Sequence, residues 1–116
     1  MARVVARSTF GELRKPAGKA RNGPILAIFT PLPTSDGRPQ VAYAVSKRCG
    51  GAVDRNLIRR RLRAAAEREA GQITPGAYLI RTDPQVIDLA FEELAGSLIE
   101  AMRRAAERSK ELRNGA

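Results

Sequence analysis

The stretch GAVDRNLIRRRLRAA, from Gly51 to Ala65, sets five arginines between Arg55 and Arg63 beside one carboxylate, Asp54. A guanidinium is a planar, permanently charged fork of donors, so the chemistry on offer is the holding of phosphate oxygens rather than proton transfer or nucleophilic attack. At about 100° per residue, with Arg55 as zero, Arg59, Arg63, Asn56 and Arg60 fall at roughly 40°, 80°, 100° and 140°. They form one stripe, while Ile58, Leu62 and Ala65 gather on another face that can pack on a sheet. Arginines four apart weaken an isolated helix by about a few tenths of a kcal/mol per pair. A face that met only solvent would mix its signs, and here only Glu67 stands at the stripe's end. Bound phosphates remove that repulsion and release counterions, which favours a polyanion as the partner. Asn56 adds a group able to hydrogen-bond a sugar, a base edge or a phosphate.

Nothing else in the chain resembles a catalytic centre. There is no histidine, a single cysteine (Cys49), and no HExxH, phosphate-cradling glycine loop or GxSxG. Glu92 and Glu93 are adjacent, so on a helix they point to different sides and read as solvated charges. No metal site in the polypeptide is expected, and Cys49 cannot close an internal disulfide, which fits a reducing compartment. The N-terminus lacks an apolar signal core and no apolar run approaches the roughly 20 residues of a membrane span, so a cytoplasmic protein without membrane contact is expected.

The charge is lopsided. Of the 116 residues, 21 are Lys or Arg and 12 are Asp or Glu, a net of +9. Residues 1–68 carry 15 basic and 4 acidic residues, whereas 69–116 carry 6 and 8. One basic surface built for a polyanion follows. The length suits one domain over residues 1–116, with 1–7 and 109–116 as flexible ends.

The elements that must position the stripe can be read around it. Ser8–Lys15 has a cap and an acidic first turn, and Pro16 and Gly18 stop it. Ile25–Leu32 is an apolar strand, ended by Pro31 and Pro33. Val41–Ser46 alternates, with Val41, Tyr43 and Val45 on a bulky face and Ala42, Ala44 and Ser46 on an unusually small one. A small face either meets a closely packed helix or floors an open groove. The arginine helix is expected over about Ala52–Ala70, and Ala77–Arg81 is a further strand. Asp83 and Pro84 read as N-cap and N1 of a long last helix with Ile87, Phe91, Leu94, Leu98 and Met102 inward. The order α-β-β-α-β-α makes an α+β sandwich. Strands on both sides of the arginine helix favour RNA over a DNA major groove, where helix-turn-helix settings prevail.

The segment AYAVSKRCGGAVDRNLIRRRLRAA, Ala42 to Ala65, resembles the signature of the bacterial ribonuclease P protein subunit. The likeness lies in a strand ending Val-Ser-Lys, a glycine turn, Ala-Val-x-Arg-Asn and clustered basic residues ending in Leu-Arg. Weaker likeness covers nearly the whole chain. The pattern departs at Leu57, where the family's Arg-Asn-Arg loses its third member, and at Arg14, where a second aromatic is usual. Ile28 stands at an often aromatic strand position, and the basic N-terminal arm is short, with Arg3 and Arg7. The resemblance implies an RNA subunit that holds Mg²⁺ and removes the 5′ leader of precursor tRNA, with no catalytic residue in the protein and no obligate protein partner.

It also implies that Lys47, Arg48, Arg55, Asn56, Arg59, Arg60 and Arg63 face the RNA subunit. Phe10, Ile28, Ala42 and Ala44 would line a shallow cleft for the single-stranded leader, with Arg14 and Lys47 at its rim; Phe10 reads equally as a core residue. The βαβ crossover would be left-handed, against the general right-handed rule. Two other classes stay open: a ribosomal or other structural RNA-binding protein, and, more distantly, a DNA-binding regulator.

Overall fold

The computed structural model describes residues 2–3, 18–31 and 38–114. The expected helix at Ser8–Lys15, with Phe10 and Arg14, lies outside the described residues. Five strands form one mixed sheet: β1 (Ala2–Arg3), β2 (Gly18–Asn22), β3 (Ile25–Thr30), β4 (Gln40–Ala44) and β5 (Ala77–Thr82). Their order is β1-β4-β5-β3-β2. β4 runs parallel to β1 and β5, while β3 is antiparallel to both β5 and β2. Helix α1 (Ala52–Arg68) bridges the parallel pair β4 and β5, so the expected parallel crossover is present, and helix α2 (Phe91–Asn114) follows.

Two strands were not anticipated. β2 carries the pattern Gly-Lys-Ala-Arg-Asn, with Gly18 and Ala20 buried and Lys19 and Arg21 exposed. Its inward residues are small because α2 crosses directly over β2 and β3. A Cβ on Gly18 would stand 1.7 Å from the carbonyl oxygen of Ala105, so only glycine admits the helix at that height. β2 and β3 join through a two-residue turn in which Gly23 has φ +57°, the conformation that tight hairpins favour. β1 pairs Ala2 with Gln40 and Arg3 with Val41.

The last helix is split. Pro84–Asp88 form a 3-10 turn, and the chain is extended at Leu89 before α2 begins at Phe91. Asp83 makes no side-chain cap. Its carboxylate is taken by Arg21, whose Nη1 donates to Oδ2 at 2.6 Å. The start of α2 is secured by Glu93, whose Oε1 accepts from the amide of Ala90 at 3.3 Å, one half of a capping box. Helix α2 continues to Asn114, and Ser109 is buried.

One face of the sheet and the inner faces of both helices form the main core. Ile25, Ala27 and Phe29 meet Val41, Tyr78 and Ile80 from neighbouring strands and Leu94, Leu98 and Met102 from α2. Ile58, Leu62, Ala65 and Ala66 of α1 join the same cluster, as their periodicity requires. The backbone of α1 comes closest to α2 and to the two 3-10 turns at Lys47–Cys49 and Pro84–Asp88, while Ile58, Leu62 and Ala65 share the core with Val41, Tyr78 and Ile80 of the sheet, as expected. That placement lifts the arginine face of α1 clear of the core.

Candidate nucleic-acid interface

The opposite face of the sheet is built from the alternate residues of each strand. Register sets Lys19, Ile28, Leu79 and Ala42 in one row across β2, β3, β5 and β4. The next row holds Arg21, Leu26, Arg81 and Ala44. The small residues Ala42 and Ala44 therefore do share a face with Ile28. Within it Ala44 is exposed, Ala42 is half-buried, and Ile28 keeps only 6% of its surface.

A cleft of about 570 Å³ opens at the carboxyl ends of β4 and β5, where the crossover to α1 departs. Four arginines reach it from four different elements: Arg21 of β2, Arg48 of the 3-10 turn, Arg59 of α1 and Arg81 of β5. Leu26 and Ala44 give it an apolar floor, and Ser46 and Thr82 add hydroxyls. Its one carboxylate, Asp83, is the partner of Arg21. Among the described residues, three guanidiniums thus face the cleft without a counter-charge, a donor set suited to phosphate oxygens and unsuited to a divalent cation.

The arginines of the chain divide by how they are neutralised. On α2, Arg103 bonds Glu100 and Glu107, both at 2.6 Å, and Arg104 bonds Glu100 at 2.8 Å. Arg68 forks onto Glu92 at 2.6 and 3.1 Å and lies over the Phe91 ring. The hydrogen bonds from Arg103 hold the Glu100 carboxyl below the usual range, and those from Arg68 do the same for Glu92. By contrast, among the described residues no carboxylate lies within 4 Å of Lys47, Arg48, Arg55, Arg59, Arg60, Arg63 or Arg81. Arg59 instead donates to Asn56 Oδ1 at 3.1 Å, which fixes two stripe residues relative to one another. Arg60 and Asn56 are exposed, and Arg55, Arg59 and Arg63 are half-buried, with the Nε atoms of Arg55 and Arg63 turned away from solvent.

Arg61 belongs to neither group. Its Nη2 donates to the carbonyl of Leu89 at 2.6 Å, so it ties α1 to the extended link before α2. On the helical wheel Arg61 falls at roughly 240°, away from the stripe and beside the apolar face. Arg21, Arg81 and Asp83 were missed. Their signal would have been the alternation of β5, where Arg81 follows Leu79 on the face shared with Ala44, together with recognition of β2.

Lys47 and Arg48 lie exposed on the 3-10 turn that leads into α1. The buried Cys49 beside them sits 3.5 Å from Thr82 Oγ1 and 3.7 Å from the Thr82 carbonyl, packed between the turn and β5. Among the described residues no three His, Cys, Asp or Glu side chains gather as a metal site.

A small α+β sandwich with an unneutralised arginine surface beside a cationic cleft is the class of protein built to hold a polyanion. The family model described as Ribonuclease P matches residues 1–106, and the chain belongs to that family. Among relatives, the ribonuclease P protein component of Thermobifida fusca is 36% identical over 78% of this chain and 66% of its own length. That of Chloroflexus aurantiacus is 37% identical over 67% and 59%, and that of Shouchella clausii 32% identical over 89% and 84%. The chain thus spans about three-fifths to two-thirds of the first two. The same fold occurs in the RNase P protein from Thermotoga maritima, with a TM-score of 0.78 at 18% identity over 90% of this chain and 97% of that one. It occurs also in the Staphylococcus aureus RNase P protein, with a TM-score of 0.74 at 18% identity over 89% and 94%.

Proposed function

We propose that this chain is the RNA-binding protein subunit of ribonuclease P, acting in the cytoplasm. It binds the catalytic RNA through Lys47, Arg48 and the stripe Arg55, Asn56, Arg59, Arg60 and Arg63, and it binds the 5′ leader of precursor tRNA along the small sheet face. The observation that carries this is the division of arginines: Arg103 and Arg104 of α2 and Arg68 at the end of α1 pair with carboxylates of the fold, whereas among the described residues Arg48 of the leading turn and Arg55, Arg59, Arg60 and Arg63 of α1 have none within 4 Å. Family membership favours this over a ribosomal or other structural RNA-binding role.

The chemistry of cleavage belongs to the RNA. In this reading the RNA holds the Mg²⁺ that would supply an activated water and stabilise the leaving oxygen. The protein's own residues act by charge and position. Guanidiniums neutralise crowded phosphates, lowering the Mg²⁺ needed to do so, and the floor of Leu26 and Ala44, with Ala42 in the next row of the same face, leaves room for an unpaired strand. Contacts to backbone and base faces tolerate any sequence, so one protein serves precursors with unrelated leaders.

Reconstitution tests this. Ribonuclease P RNA and a precursor tRNA at low Mg²⁺ should give the mature 5′ end quickly only when the protein is present. Equal cleavage with and without the protein would refute the assignment.

A further inference from the structure

Val53 and Leu57 are the large hydrophobic side chains left open among the described residues, with 82% and 38% of their surfaces exposed. They stand four residues apart on α1 and so lie one above the other on its outer ridge. On the same wheel they fall at roughly 160° and 200°, next to Arg60 and opposite the buried Ile58, Leu62, Ala65 and Ala66. The core does not use them. Asn56 and Arg60 border them on one side and Asp54 on the other, and among the described residues Arg60 has no carboxylate within 4 Å, so the apolar ridge runs along the edge of the unneutralised cationic face. A surface of this kind matches a partner that is polyanionic and yet shows apolar faces between its charges.

We propose that Val53 and Leu57 form a contact ridge that packs on ribose and base faces of the bound RNA, while the flanking arginines hold its phosphates. This rests on the RNA-subunit assignment and adds to it a non-electrostatic part. The wide, shallow minor groove of an RNA helix, or a loop with unstacked bases, presents such faces to a helix lying across it. Binding through the ridge depends on RNA shape and not on ionic strength.

The test uses the full chain with Val53→Ser, Leu57→Ser and both together, titrated against ribonuclease P RNA and against heparin, a polyanion without bases. The side chains are exposed, so melting temperatures should match the parent. The double variant should bind the RNA roughly tenfold more weakly, with an unchanged dependence on salt and unchanged affinity for heparin. An RNA affinity equal to the parent's would overturn the proposal, and so would an equal loss on heparin. A parent dimer in sedimentation that the double variant dissolves would assign the ridge to a second copy of the chain and overturn it as well. A parent that holds heparin as tightly as the RNA would instead remove the functional assignment, and this contact with it.

Discussion

Arg21 Nη1 donates to Asp83 Oδ2 at 2.6 Å across the mouth of the cleft, linking β2 to the residue after β5. Both side chains are about half exposed, so the pair adds little to stability, within about 1 kcal/mol. Its effect is on the field of the cleft, where it cancels one of four guanidinium charges. Asp83→Asn should free Arg21 for phosphate. RNA affinity at moderate salt should rise severalfold, and the slope of log affinity against log salt should steepen by about 0.7 to 0.9. An unchanged slope in filter-binding titrations would show that Arg21 meets no phosphate.

The stripe and its neighbour Arg61 should separate in a mutant series. Arg55→Ala, Arg59→Ala and Arg63→Ala should each reduce the salt slope by about 0.7 to 0.9 and leave the fold nearly as stable. Arg61→Ala should behave in the opposite way. It removes the hydrogen bond to the Leu89 carbonyl and leaves that group short of a partner, at a cost of about 1 to 3 kcal/mol, with little change in slope. Thermal melts and salt titrations on the same four proteins decide the matter.

Gly18→Ala should be severe for so small a change. The added methyl would meet the Ala105 carbonyl at 1.7 Å and the Ser109 amide at 2.6 Å, both backbone atoms of α2 that cannot turn aside. The helix must lift from β2, and a loss of about 3 kcal/mol is expected in denaturant unfolding. Gly71→Ala, with open space around the new methyl, is the control and should be near neutral.

The same residue shows where sequence reasoning ran out. Strands β3 and β5 were legible as short runs of bulky apolar side chains, and β4 by its alternation. β2 was not, because Gly18 and Ala20 have no strand preference and are there only to admit a helix some 85 residues away, a fact of tertiary packing. The split before α2 was hidden in the same manner. Asp83-Pro84 has the form of a helix start, and Asp83 is diverted to an arginine on the unseen strand. The stripe on α1 was readable because helical period alone defines it. The cleft was not, since Arg21, Arg48, Arg59 and Arg81 are brought together by register and crossover rather than by spacing.

Phe10 stands outside the described residues, and its role is open to a direct test. On the leader-cleft proposal, Phe10→Ala should weaken binding of a leader-bearing precursor by about 1 to 3 kcal/mol, while affinity for mature tRNA and the melting temperature hardly move. A core residue would instead lose about 3 to 5 kcal/mol of stability. A large fall in melting temperature without a leader-specific defect would end the stacking role.

Tyr78 sets the alkaline limit of the fold. It is fully buried against Phe29, with ring centroids 4.8 Å apart, and its hydroxyl donates to the Thr74 carbonyl at 2.6 Å. Burial pushes the phenol well above its ordinary value. The unfolded chain therefore releases this proton at about pH 10, whereas the folded chain retains it. Below that pH both states are protonated and this group makes no slope. Above it the unfolded state binds fewer protons, so stability should fall by about 1.4 kcal/mol per pH unit until the folded value is reached. Tyr78→Phe should cost about 1 kcal/mol at neutral pH through the lost hydrogen bond, and it should flatten the alkaline limb. Denaturant midpoints measured from pH 8 to 11.5 check both signs. Parallel curves for the two proteins would show that another group governs alkaline unfolding.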